Sequence, residues 1–495
     1  MMTREAAERL IASRATLRGG QAPRTAARKA EAEGGCGVIG MACAEAIPGR
    51  HLLQALRQMR NRGNGKGGGV AMVGLVPEEL GVTPAILRDD YLLAVAYLDA
   101  SARPDVESAH IHPAFLVDHS MMFPITDLPD LPVRPPGVVA YFVRVRPDAA
   151  KAFAAQSGLA DVPQEALEDE LVYQNSIRLN RAWYSSLGEK RAFVLSHGKD
   201  LLVLKMVGYG DDAVRAYGLD RLRAHVWIGH HRYPTKGRVW HPGGAHPFVG
   251  LHEALVHNGD FANYASVCTY LAQRNIEPLF LTDTEVSVLM FDLLHRTYGY
   301  PLEYVIEALA PTTERDFAQL PAAKQEIYRA LQTVHIHGSP DGPWFFLIAQ
   351  SAPHGGESRA ARLIGITDTS MLRPQVFALQ DPGDGAPAIG LAASEKQAID
   401  AALESLAAED DRFWGRADLV WNARGGSHTD GGAFVFTVER DGVGSARLRC
   451  ADKFGRAIRV EETAPAWRRS GGAPGPGADE SAEPRGSAAE ILARV

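Results

Sequence analysis

The chain has 495 residues, too many for one average domain, and its 46 % apolar and 22 % charged residues suit a globular protein with a sizeable core. A net charge of -7 argues against non-specific binding to nucleic acid or anionic membranes, and no eighteen apolar residues run together, so a soluble chain without a membrane span is expected. Four cysteines (Cys36, Cys43, Cys268, Cys450) with no C-x-x-C spacing make no disulfide framework and no zinc or redox motif, which fits a reducing cytoplasm.

Residues 1–35 lack the apolar core of a secretory signal, and Glu5, Glu8, Glu31 and Glu33 count against a transit peptide. They read as a leader, either plain and disordered or a propeptide. Val38–Met41 then predicts a strand, and Leu52, Leu53, Leu56 and Met59 share one face of a helix that begins after Pro48. The glycine-rich stretch Gly63–Gly69 ends that helix, and Val70–Val76 reads as a buried strand. From about 77 to 190 the pattern changes. Tyr91–Leu98 followed by Arg103-Pro104-Asp105 is echoed by Val138–Val145 followed by Arg146-Pro147-Asp148, which predicts a small inserted α/β subdomain of two strand-helix units.

Further strands are expected at 192–196, 201–207, 224–229, 254–257, 343–349, 362–367, 375–379, 388–393 and 432–438, with helices near 261–273, 284–297, 301–309 and 395–407. Blocks of strands flanked by helices favour packed sheets over a doubly wound parallel sheet. The main domain is placed at 36–440, with a short extension at 441–464. The Gly-, Pro-, Ala- and Ser-rich stretch 465–495 reads as a disordered tail in which only Ala488–Arg494 forms a short helix.

Four stretches offer the groups that hydrolysis of a side-chain amide requires. Cys36 lies in Gly34-Gly35-Cys36-Gly37-Val38-Ile39-Gly40. A thiol with a pKa of about 8.5 needs a base, and no Cys-His pair is evident in this segment. Cutting the bond before Cys36 would free an α-amine of pKa about 7.7–8.0, suited to shuttling a proton; taken alone, this stretch reads better as a buried structural cysteine. Arg232, leaving a strand in Gly229-His230-His231-Arg232-Tyr233-Pro234-Thr235, offers the planar fork that grips a carboxylate, or is an ordinary surface arginine. In His257-Asn258-Gly259-Asp260 a side-chain amide beside a glycine amide can converge on one oxygen, although Asn-Gly is also a hairpin signal. Thr282-Asp283-Thr284-Glu285 is a capping box that puts Asp283 in a first helical turn, where it either serves the helix dipole or holds a substrate ammonium.

Taken in order, these stretches resemble the class II glutamine amidotransferase family, whose mature chains begin with cysteine and fold as Ntn hydrolases. The resemblance spans most of 36–435 and also takes in Asn61-Arg62-Gly63, Ala245-His246-Pro247-Phe248, Leu372-Arg373-Pro374 and Ala393-Ser394-Glu395. It implies an α+β, four-layer αββα sandwich. In that sandwich Cys36 is the nucleophile, Asn258 and Gly259 form the oxyanion hole, and Arg232, Thr235 and Asp283 bind glutamine. Within the family the chain is most similar to the separately encoded amidotransferase subunit of archaeal-type glutamate synthases. That implies no cofactor in this chain, with FMN and an iron–sulfur cluster on a partner subunit that accepts the ammonia. Asn61 stands where a histidine is commoner, and the insertion is unusually long. Rival readings are an Ntn amidohydrolase acting on another amide and a silent glutamine-sensing subunit. Seven histidines between His225 and His257 raise the question of a metal, but none shows a helical H-E-x-x-H spacing, and no metal is expected. Ser470-Gly471-Gly472 has no strand before it and is set aside as a nucleotide loop.

Overall fold

The computed structural model describes residues 35–233, 241–354, 358–383, 386–440 and 446–460. The leader up to residue 34, Thr235, Ser470-Gly471-Gly472 and the 465–495 tail lie outside the described residues.

Apolar runs that do not alternate with polar residues become strands covered on both faces. Strand β1 (Gly37–Pro48) is buried along its first eight residues, and β2 (Gly68–Leu75) along its whole length. They belong to a seven-stranded sheet that also holds β7 (Leu201–Met206), β8 (Arg223–His231), β13 (Val376–Gln380), β14 (Ile389–Ala393) and β15 (Leu419–Trp421). Its order is β15-β13-β14-β1-β8-β2-β7, antiparallel at each pairing. A second seven-stranded sheet is formed by β9 (Phe248–Val249), β10 (Glu253–Gly259), β11 (Trp344–His354), β12 (Ser358–Thr367), β16 (Ala433–Arg440), β17 (Ala446–Asp452) and β18 (Ala457–Ile458). Its order is β18-β17-β16-β12-β11-β10-β9.

The two sheets face one another so closely that glycine is required at the contact. A Cβ on Gly40 of β1 would collide with Leu363 of β12, and one on Gly390 of β14 with Phe436 of β16. Helix α1 (Gly49–Gln58) buries His51, Leu52, Leu53, Ala55 and Leu56, the face that the Leu spacing predicts.

The segment between β2 and β7 holds its own four-stranded sheet: β3 (Tyr91–Tyr97), β4 (Phe115–Met122), β5 (Gly137–Val145) and β6 (Ala192–Ser196), in the order β4-β5-β3-β6. Every pairing in it is antiparallel, so the expected pair of α/β strand-helix units is corrected to an antiparallel α+β arrangement. The reason is β4, which sequence patterning misses. Its burial pattern leaves Leu116 and Val117 exposed, so it lacks an apolar face that reads as strand. β4 runs in the same direction as β3, and β5 returns between the two, antiparallel to both. The echoed Arg-Pro-Asp triplets do start helical segments, the second being α2 (Pro147–Ser157). Helix α3 (Gln164–Trp183) covers this sheet with Leu167, Leu171, Val172 and Leu179.

The remaining α-helices of seven or more residues are α4 (Gly210–Ala216), α5 (Tyr264–Ala272), α6 (Asp283–Asp292), α7 (Leu302–Leu309), α8 (Ala322–His335) and α9 (Lys396–Ala407). Helices α1, α4 and α9 pack together on the first sheet, while α6 lies on β9 and β10 of the second. Among the described residues no helix is long and apolar enough to cross a membrane.

Candidate active site

Register places the first residues of the site. Gly37 of β1 pairs with His231 of β8, so Cys36 and Arg232, one step beyond each strand, emerge side by side at one end of the first sheet. The Tyr233 amide donates to Cys36 Sγ at 3.3 Å. Burial pushes the Cys36 thiol up to about 11, although that amide and the Arg232 guanidinium favour the thiolate. The sulfur is therefore protonated at neutral pH and would need a base to react as a thiolate.

The second sheet supplies the facing wall. Strand β10 ends in Asn258 and Gly259, which pair with Phe345 and Trp344 of β11 rather than across a two-residue hairpin. Gly259 has a φ of 150°, and a Cβ there would run into the Pro343 carbonyl and the Trp344 backbone. Asn258 is fully buried, and neither its Nδ2 nor its Oδ1 has a hydrogen-bond partner among the described residues. Buried amides are almost always paired, so an orphaned one beside a cleft reads as a donor held for something absent.

Asp283 is the first residue of α6, and the Thr282 hydroxyl caps that helix by accepting from the Glu285 amide at 3.1 Å. Burial would raise the Asp283 carboxyl. His257 beside it, the Thr284 amide and Arg232 outweigh burial and hold the carboxyl below the ordinary range. His257 Nδ1 lies 3.6 Å from Asp283 Oδ2. Behind this pair His246 stacks on His230 at 4.1 Å and bonds the Thr284 hydroxyl at 2.9 Å. Burial drives both of these imidazoles well below their usual pKa, so they stay neutral. Among the described residues no group of three or more His, Cys, Asp or Glu side chains could hold a metal.

Cys36, Arg232, Gly259 and Asp283 all line one cleft of about 490 Å³, together with Tyr233, His246, His257, Asp260 and Tyr264. Of the six residues singled out from sequence, those four share the cleft and Asn258 lies next to Gly259 in its wall. Thr235 falls outside the described residues. Sequence reasoning misses the link from His257 to Asp283 and the part of Tyr233, which acts through its backbone. Adjacency to Asn258 and Arg232 is the only signal that marks either one.

No family model matches the chain. An uncharacterized protein of Archaeoglobus fulgidus is 30% identical over 342 residues, covering 68% of this chain and 81% of the archaeal protein. The chain belongs to that protein's family. A glutamine–fructose-6-phosphate aminotransferase (isomerizing) of Aeropyrum pernix is 36% identical over 126 residues, 25% of this chain and 20% of the aminotransferase. The chain thus spans about a fifth of that relative's length, and over this part it is related to a glutamine-dependent amidotransferase. A solved glutamine phosphoribosylpyrophosphate amidotransferase from B. subtilis, complexed with ADP and GMP, aligns at 17% identity over 50% of this chain and 40% of its own, with a TM-score of 0.29.

Proposed function

We propose that this chain is a class II glutamine amidotransferase subunit, a glutaminase that works through Cys36 as an N-terminal nucleophile and hands ammonia to a synthase making glutamate. The observation that carries the reading is the meeting in one cleft of a thiol, a guanidinium and a carboxylate, each from a different segment, with an orphaned buried amide at Asn258 next to the cleft residue Gly259. The partial match to a glutamine-dependent aminotransferase supports it independently. Two facing antiparallel sheets with helices packed on each support a four-layer αββα sandwich of the Ntn type.

In this reading Arg232 grips the α-carboxylate of glutamine with its planar fork, and Asp283, kept ionised by its neighbours, holds the α-ammonium. Thr235 contributes to the same receptor. Cys36 Sγ passes its proton to its own α-amine and attacks the side-chain amide carbon. Asn258 Nδ2 and the Gly259 amide donate to the oxyanion. The α-ammonium of Cys36 protonates the departing nitrogen, the C–N bond breaks, and ammonia leaves a γ-glutamyl thioester. Water then splits the thioester to give glutamate and the free thiol. The acceptor of the ammonia is a partner subunit carrying FMN and an iron–sulfur cluster, a reading that rests on the resemblance of the motif order.

The test is turnover and binding together. Wild type should release glutamate from glutamine in preference to other amides, and Cys36→Ala should lose turnover while still binding glutamine, since only the nucleophile is removed. Hydrolysis of unrelated acyl amides at equal efficiency would overturn the reading, and so would turnover that survives Cys36→Ala.

A further inference from the structure

Lys205, the last residue but one of β7, is only 2 % exposed, and the reaction just described gives it no task. Burying an amine in this way is expensive unless its donors are used. Its Nζ donates to the Gly243 carbonyl at 3.3 Å and to the Pro247 carbonyl at 3.1 Å. These two acceptors bracket Gly244-Ala245-His246, so one side chain spans the segment that presents His246 to the cleft. The same Nζ sits 3.9 Å from the centre of the Phe248 ring and 5.4 Å from that of Phe280. Phe280 belongs to a second segment, the turn that leads into α6 and Asp283. Glu285, also buried, holds that turn, its carboxylate accepting from the Leu279 amide at 2.6 Å and the Phe280 amide at 2.8 Å. The two segments meet at the Thr284 hydroxyl, which lies 2.9 Å from His246 Nε2 and 3.4 Å from His257 Nδ1. Asp283 is the residue next to it.

The geometry points to Lys205 and Glu285 as positioning residues, a buried pair of opposite charges that braces the two segments around Asp283 and so sets the grip on the α-ammonium of glutamine. The inference rests on the reading of Asp283 as the ammonium receptor. Neither member of the pair lines the cleft, and both line a separate small cavity. They reach the substrate only through where Asp283 stands. Burial works against each charge, while the field of each works for the other. A carboxylate holds an ammonium best at hydrogen-bond distance, so a slackened turn weakens ammonium recognition first and leaves the thiol ahead of β1 in place.

The test compares glutamine with glutaramate, the same amide without the α-amino group. Lys205→Met should lower kcat/KM for glutamine by about tenfold, mostly through KM, and leave glutaramate within about twofold of wild type. Competitive inhibition by glutamate and by glutarate gives the same comparison without turnover. Lys205→Met alone strands Glu285 in the interior, so Lys205→Met with Glu285→Gln is measured beside it. The double variant leaves neither charge buried without its partner and should lose the preference for glutamine at least as far. A folded single or double variant that keeps the wild-type preference overturns the inference. An equal loss on both substrates does so too, because a role confined to the fold would weaken them alike. Asp283→Asn is the control and should collapse the preference by itself. A preference that survives Asp283→Asn removes the ammonium receptor from the proposed reaction, a failure distinct from that of the bracing pair.

Discussion

At the residue scale, the roles of the cleft residues separate in kinetics. In the proposed reaction Asn258 would serve the transition state alone, its amide being buried and without a hydrogen-bond partner among the described residues. Asn258→Ala should therefore lower kcat by about 10²–10³-fold with little change in KM, as removing an oxyanion donor does elsewhere. In the proposed reaction Arg232 would be engaged in ground state and transition state alike. Arg232→Lys should mainly raise KM, because a point charge cannot reproduce a two-pronged grip. Steady-state assays of the two variants side by side check both, and an unchanged kcat in Asn258→Ala would place the oxyanion hole elsewhere. Residue chemistry was the legible part of this site. A thiol, a guanidinium, an amide-glycine pair and a capping-box carboxylate each announce a capability in a few letters of sequence. What the letters do not carry is mutual position. The approach of His257 to Asp283 and the passage of Arg62 beside Gly35 join segments far apart in the chain, and no local pattern encodes them.

At the scale of elements, legibility followed hydrophobic contrast. The near-continuous apolar runs of β1, β2, β3 and β7 stand out in sequence and are buried in the structure. Helix α3 escaped notice because its twenty residues are rich in Glu, Gln, Asn and Arg, and α8 because only Tyr328, Leu331 and His335 are buried on it. The stretch at 441–464 illustrates another blind spot. Strand β17 pairs with β16 along its length, and just beyond it Lys453 is fully buried against Glu307 of α7. Glu307 also accepts from the Thr312 amide at 2.9 Å, the Thr312 hydroxyl at 2.7 Å and Gln332 at 2.6 Å. A charged residue in a polar stretch looks solvated from sequence, since the carboxylate that neutralises it lies well over a hundred residues away. Removing one partner strands the other charge in the core. Lys453→Ala should cost about 3–5 kcal/mol of stability, whereas replacing both members with apolar residues (Lys453→Met with Glu307→Leu) should recover much of the loss. Denaturant midpoints of the single and double variants measure the difference. A single variant as stable as wild type would mean that the pair contributes nothing to holding β17 against α7.

At the scale of the whole molecule, the chemistry argues for a partner. Ammonia released into neutral water takes up a proton and ceases to be a nucleophile, so a glutaminase that serves a biosynthesis gains by firing only when an acceptor is in place. The cleft has the parts for such control. Leu281, half exposed and at a φ of 58°, lines it directly ahead of the helix that carries Asp283. Arg373 ties Asp260 of the cleft wall to the segment of Met371 and Leu372, two exposed apolar side chains. A subunit pressing on these rims would act on both walls of the site at once, through the start of α6 and through Arg373. The isolated chain should therefore show slow glutaminase activity. If the proposed flavin- and iron–sulfur-bearing synthase subunit is its partner, adding that subunit together with 2-oxoglutarate should raise kcat, with glutamate formed at two per glutamine consumed when reductant is present. Leu372→Asp, which leaves the cleft residues intact, should weaken that stimulation while sparing the basal rate. Co-purification from the native cell identifies the subunit, and stopped assays with and without it measure the gain. A chain recovered alone, fully active and indifferent to any synthase subunit, would remove glutamate synthesis from the proposal and leave the glutaminase standing.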